Sequence, residues 1–139
     1  MRKIADYPLW LSNAYEARDL RAIHNAEIEA VIDLALNEPP LAVTRELVYC
    51  RFPLIDGTGN PPWLLRAAVQ TLAGMMHAKV STMVFCSAGL SRSPVIAAAA
   101  IARLRSTSLH SELLIVLQDA PADVSAAFVA DCDAALVVA

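Results

Sequence analysis

Cys86 and Arg92 close the two ends of one short segment, CSAGLSRS (residues 86–93), and so set a thiol and a guanidinium in a C-x5-R-S pattern. A thiol attacks only as its thiolate. Three features of this stretch favour the anion: a helix N-terminus expected near Pro94, the backbone N–H groups of residues 87 to 92 curled into a nest, and Arg92 itself. Gly89 lets the backbone turn with its amides inward, and Ser93 adds a hydroxyl. An anion with three terminal oxygens, such as phosphate, suits that nest. Arg92 can hold two of its oxygens in a fork that lysine does not offer. Ser87, Ala88, Gly89, Leu90, Ser91 and Arg92 are thus the expected phosphate binders, and Cys86 the nucleophile toward phosphorus. The leaving oxygen then needs a proton. Asp56, in the glycine-flanked stretch DGTGN, is the best candidate acid, and afterwards the base toward water.

These groups meet only if the surrounding chain brings them together. Residues Val80, Thr82, Val84 and Phe85 read as a strand, and the wholly apolar run from Val95 to Ala102 as a buried helix. Upstream, Tyr7 to Leu11 is a short apolar segment, with Ser12-Asn13 placed to cap a helix from Ala14 to Asn25. Glu29 to Leu36 reads as a strand buried on both faces, stopped by Pro39-Pro40. Glu46 to Phe52 is the next strand. Asn60 is a candidate N-cap with Pro61 opening a helix to about His77. Ser108 is placed to cap a helix to about Gln118, ended by Asp119-Ala120-Pro121, and a last helix spans Ser125 to Val138. This alternation predicts one α/β domain over residues 1–139, a mostly parallel (mixed) sheet of four to five strands flanked by helices. Ligands in such folds bind beyond the carboxyl ends of the strands. Asp56 and Cys86 both follow predicted strand ends, so one crevice can serve both.

Composition narrows the function classes. The 57% hydrophobic content is inflated by 26 alanines, which favour helix more than membrane. No apolar run near the loop approaches the ~20 residues of a membrane span. The N-terminal MRKIADYPLW lacks the apolar core of a signal peptide, so a cytoplasmic monomer is expected. Three cysteines without C-x-x-C spacing argue against a disulfide framework and a zinc site. Cys50 and Cys132 read as small buried hydrophobes. The net charge of −3, with no basic cluster, excludes the footprint of a nucleic-acid binder. From Ser106 onward there are five acidic residues and no Lys or Arg.

CSAGLSRS resembles the signature loop of cysteine-based protein tyrosine phosphatases, and its A-G-x-S-R-S ending is similar to that of the small dual-specificity branch. WLSNAYEARDL (10–20), EAVIDLAL (29–36), FPLID (52–56) and SLHSELLIVLQDAP (108–121) resemble further segments of that branch. The resemblance implies Cys86 as nucleophile, Arg92 and the 87–92 amides as phosphate binders, Ser93 as an aid to thiolate release, Asp56 as general acid, and neither metal nor cofactor. Phosphorylated proteins or small phosphate esters would be the substrates. The low-molecular-weight phosphatases share C-x5-R-S-P, but their acid lies downstream of the loop, whereas here it precedes it. The chain departs from the branch at Phe85, where histidine is common, and at residues 120–125, where an R-P-x-x-x-P-N pattern is replaced by Ala-Pro-Ala-Asp-Val-Ser. Phe85 motivates an alternative, a pseudophosphatase that holds phosphorylated partners with little turnover. A rhodanese-type sulfur transferase also places a cysteine on an anion loop, but the loop length and the Asp56 segment argue against it.

Overall fold

The computed structural model describes residues 1–118 and 120–137. Five strands form one sheet: β1 (Arg2–Lys3), β2 (Leu9–Asn13), β3 (Ala30–Ala35), β4 (Val48–Leu54) and β5 (Thr82–Cys86). They lie in the order β1-β2-β5-β3-β4. The four long strands are mutually parallel, and β1 adds antiparallel to the edge of β2. The helices are α1 (Leu20–Asn25), α2 (Pro62–His77), α3 (Arg92–Arg105), α4 (Leu109–Val116) and α5 (Ala126–Val137). The sheet is mixed and flanked by helices, as the alternation predicts.

Alternation of side chains along each strand builds two cores. Ile32 and Leu34 on β3, with Val84 and Cys86 on β5, face the layer of α2, α3, α4 and α5. Val31 on β3, with Met83 and Phe85 on β5, turn to the other side and pack against Ala14, Ala17 and Ile23. A sheet covered on both faces requires continuous apolar strands, and β3 and β5 are buried at every position. α3 is likewise buried from Arg92 through Ala102. Its alanines have high helix propensity and lose no side-chain entropy on burial.

Element ends depart from the expectation for identifiable reasons. The helix expected over Ala14–Asn25 is split: a 3-10 turn covers Glu16–Arg18 and α1 begins at Leu20. Asn13 Oδ1 accepts from the Glu16 N–H (2.8 Å), while Asp19 Oδ1 accepts from the Ala22 N–H (3.1 Å) and starts a second segment. α3 begins at Arg92, ahead of Pro94. Pro94 falls in the first turn, where its missing N–H would have had no intrahelical partner. α3 ends at Ser106, in the left-handed region with φ 56°. Ser108 does cap α4, accepting from the Ser111 N–H at 3.1 Å. The α4 terminator at Asp119 and the last-helix end at Val138 lie outside the described residues. β1 carries too few residues to leave a pattern in the sequence.

The β3–β4 pair holds a buried carboxylate. Asp33 Oδ1 accepts from the Ala35 N–H (2.9 Å), and its Oδ2 takes the Tyr49 hydroxyl at 2.5 Å with Arg51 Nε at 3.5 Å. Among the described residues Arg51 Nε has no hydrogen bond of good geometry, so the phenol is the main partner. Cys132 on α5 is fully buried; burial first, then Asp133 and Asp131, push its thiol up to about 12, which keeps it a packing residue.

Burial, followed by the bond to Asp33, raises the Tyr49 phenol above its ordinary 10.0. The fold therefore favours the neutral phenol, and this contribution is complete below that ordinary value and lost as pH rises through the folded one. As pH rises above about 10, urea midpoints of the wild type are expected to fall more steeply than those of Tyr49→Phe, which lacks this phenol. Equal slopes would contradict this role for Tyr49.

Candidate active site

The carboxyl ends of β3, β4 and β5 open into a cavity of about 380 Å³. Leu36 and Asn37 follow β3, Ile55 and Asp56 follow β4, and Cys86 ends β5; all contribute to its lining, together with Ser87, Ala88, Leu90, Ser91 and Arg92 beyond β5 and with Asp123. Cys86, Arg92 and Asp56, separated in sequence, thus border one space. Ser93 lies behind it in the first turn of α3.

Cys86 is the last residue of β5 and only 2% exposed. Parallel pairing on β2 sets Asn13 opposite it. Next comes the turn, and its position is fixed by the segment after β2: the Ala14 N–H donates to the Ser87 carbonyl at 3.1 Å. Gly89 has φ +75°, and a Cβ there would stand 2.9 Å from the Ser12 carbonyl oxygen. Both the left-handed backbone and the close approach therefore require glycine. Among the described residues, no backbone N–H from Ser87 to Ser91 donates to a carbonyl of the chain. Such a row of free amides at a helix start is a concave anion site.

Arg92 is 6% exposed, and one of its nitrogens is committed to the protein. Nη1 donates to the Leu54 carbonyl (2.8 Å), the Leu34 carbonyl (3.5 Å) and Asn37 Oδ1 (3.1 Å). Nε is buried with no partner among the described residues, and so is Ser93 Oγ. Buried polar atoms are ordinarily hydrogen-bonded. These two suit an anion held by Arg92 and a thiolate at Cys86.

Asp56 is exposed on its loop but held. Asn60, expected as the cap of α2, instead closes the loop: its Oδ1 accepts from the Ile55 N–H (2.7 Å) and its Nδ2 donates to the Ile55 carbonyl (2.8 Å). Pro61 takes the N-cap position of α2. The Ser91 hydroxyl donates to Asp56 Oδ1 at 2.7 Å and accepts from the Ser125 N–H at 3.0 Å. Ser91 thus joins Asp56 to the start of α5. Ser125 performs this through its backbone, so the altered 120–125 segment still ties to the turn after β5; the Asp123 N–H also donates to the Leu90 carbonyl at 3.1 Å.

Asn37 is a site residue that sequence reasoning missed. Its Oδ1 accepts from Ser87 Oγ (2.8 Å) as well as from Arg92, so one amide oxygen links the two ends of the turn. An asparagine after a strand looks like an ordinary turn residue, and the pattern holds no signal for this role. Phe85 lies on the opposite face of β5 from Cys86, 1% exposed and packed with Met83 and Ala17. It fills the core there with apolar volume and leaves the cavity lining unchanged.

No family model and no curated protein matches the chain. Solved structures do. Human DUSP28 has 19% identity and a TM-score of 0.83, over 97% of this chain and 94% of that one. A human tyrosine phosphatase-like serine/threonine/tyrosine-interacting protein has 17% identity and a TM-score of 0.83, over 99% and 96%. OH1 from the Orf virus, a tyrosine phosphatase with triple substrate specificity, has 17% identity and a TM-score of 0.73, over 96% and 83%. The chain has the fold of the small dual-specificity phosphatases.

Gly89→Ala is expected to destabilise the protein by about 1–3 kcal/mol, because the turn must leave its conformation or push the Ser12 backbone away. Urea unfolding measures the loss, and an unchanged midpoint would mean that the turn is not held as described.

Proposed function

We propose that the chain is a cysteine-dependent phosphatase that hydrolyses phosphate monoesters of proteins or small molecules through a cysteinyl-phosphate intermediate. One observation carries the reading. Cys86, the free amides of Ser87 to Ser91, the buried Nε of Arg92 and the carboxylate of Asp56 border a single cavity, with Ser93 Oγ buried behind it.

The chemistry follows from the roles these groups can fill. The loop amides and Arg92 hold the three non-bridging oxygens and offset the charge that builds on them in the transition state. Arg92 Nη1 is fixed by Leu34, Leu54 and Asn37, so the guanidinium plane is oriented before substrate arrives. Cys86 Sγ attacks phosphorus as the ester P–O bond breaks, and Asp56 delivers its proton to the departing oxygen. Water then attacks the thiophosphoryl group, gives a proton to Asp56, and Sγ leaves as thiolate. A hydrogen bond from Ser93 Oγ stabilises that thiolate. The fold shared with a named tyrosine phosphatase supports the reading.

The wild type is expected to hydrolyse p-nitrophenyl phosphate in the presence of a chelator and to be inhibited by vanadate. Cys86→Ser should lose at least about 10³-fold in kcat; retained hydrolysis would end the covalent mechanism. Because Asp56 must carry a proton to act, kcat toward esters with poor leaving groups falls as pH rises. In Asp56→Asn that limb should vanish with a loss of about 10²-fold or more, and an unchanged profile would move the acid elsewhere.

A further inference from the structure

We infer that the pocket selects singly phosphorylated peptides with a lysine or arginine beside the phosphorylated residue, with Asp123 as the specificity-determining group; this preference presupposes the phosphatase reading above. Charge around the cavity carries the inference. Among the described lining residues Arg92 is the sole cation, and it is buried, one nitrogen already spent on Leu34, Leu54 and Asn37. It serves the phosphoryl group and nothing further out.

The mouth has the opposite character. Asp123 contributes an exposed carboxylate that takes part in no ion pair or side-chain hydrogen bond among the described residues. Its backbone is pinned to the turn by the bond to Leu90, and two residues on Ser125 holds Ser91, so the charge stays at the rim. Leu36 and Ile55, each close to half exposed, and the partly buried Leu90 supply the remaining wall. Arg18 and Arg51, both bonded to the segment after β3, are engaged there: Arg18 with Glu38 at 3.9 Å, and Arg51 with Asp33 and the carbonyls of Ala35 and Glu38. From Ser106 onward the sequence has no Lys or Arg.

A second phosphate or a carboxylate on the substrate would therefore face Asp123 with no further cation among the described lining residues to receive it, whereas an ammonium or guanidinium there completes a pair. Such a pair at a wet rim is worth about a factor of three to ten at low ionic strength and weakens with salt.

Three matched phosphotyrosine peptides, flanked by lysine, by glutamine or by glutamate, are compared by kcat/KM at low and high salt, with p-nitrophenyl phosphate as reference. The expected order is lysine, then glutamine, then glutamate, with a spread that contracts in salt and in Asp123→Asn and reverses in Asp123→Lys. The ratio between peptides is read within each variant, so a change in overall rate cancels. Hydrolysis of p-nitrophenyl phosphate with equal or inverted peptide rates overturns the inference and leaves the phosphatase reading intact. A spread unchanged in Asp123→Asn overturns the role of Asp123. Failure to hydrolyse any of the four substrates overturns both readings.

Discussion

A buried guanidinium is the constraint on which the site depends. Removing a charge from water costs several kcal/mol unless its donors are met, and Arg92 at the start of α3 meets that condition in part, at Nη1, through β3, β4 and the turn after β3. Leu54 ends β4 and Leu34 is next to last in β3, and their carbonyls converge on Nη1. Asn37 adds a third acceptor from the turn after β3. The arginine consequently joins two strands, the turn after β3 and a helix at the carboxyl edge of the sheet, and its buried Nε has no partner among the described residues. Hydrogen bonds to a charged group contribute roughly 1.5–3 kcal/mol each, so the same contacts that shape the site also stabilise it.

The Asp56 loop is tied to that edge through neutral groups. Asn60 closes Ile55 to Asn60 into a tight bend, and Ser91 hands its proton toward Asp56 while receiving the N–H of Ser125. The turn after β5 is held from three directions: by Ala14 after β2, by Asn37 after β3, and by Asp123 and Ser125 before α5. The altered sequence at 120–125 keeps its tie because a backbone N–H does the work. Phe85 is accommodated for a related reason: strand alternation turns it to the far core, away from the cavity.

What could be read from the sequence were the features that carry a local pattern. The C-x5-R-S spacing, the apolar strand before it, the alanine-rich helix after it and the glycine-flanked aspartate all announce themselves within a few residues, and the α/β layering follows from their alternation. Asn37, Ser91 and Asn60 act through partners that only the sheet topology brings near, so their side chains look like ordinary turn polar residues. Asn60 departs from its expected capping role for this reason: an asparagine before Pro61 satisfies the capping rule, but the open loop offers it a pair of backbone groups instead. The break between Arg18 and Leu20 reflects competition between Asn13 and Asp19 to cap successive turns, a contest that periodicity does not resolve. β1 is formed by pairing with β2 and has no pattern of its own.

The covalent step is the centre of the account, and rapid-quench mass spectrometry tests it most directly. Wild-type protein mixed with an aryl phosphate and quenched in acid within the first turnover should carry the mass of one phosphoryl group on the peptide containing Cys86, and the label should disappear as the substrate is consumed. Turnover with no phosphoryl group on that peptide at any time, or with the label on another residue, would contradict the assignment of Cys86 as the nucleophile.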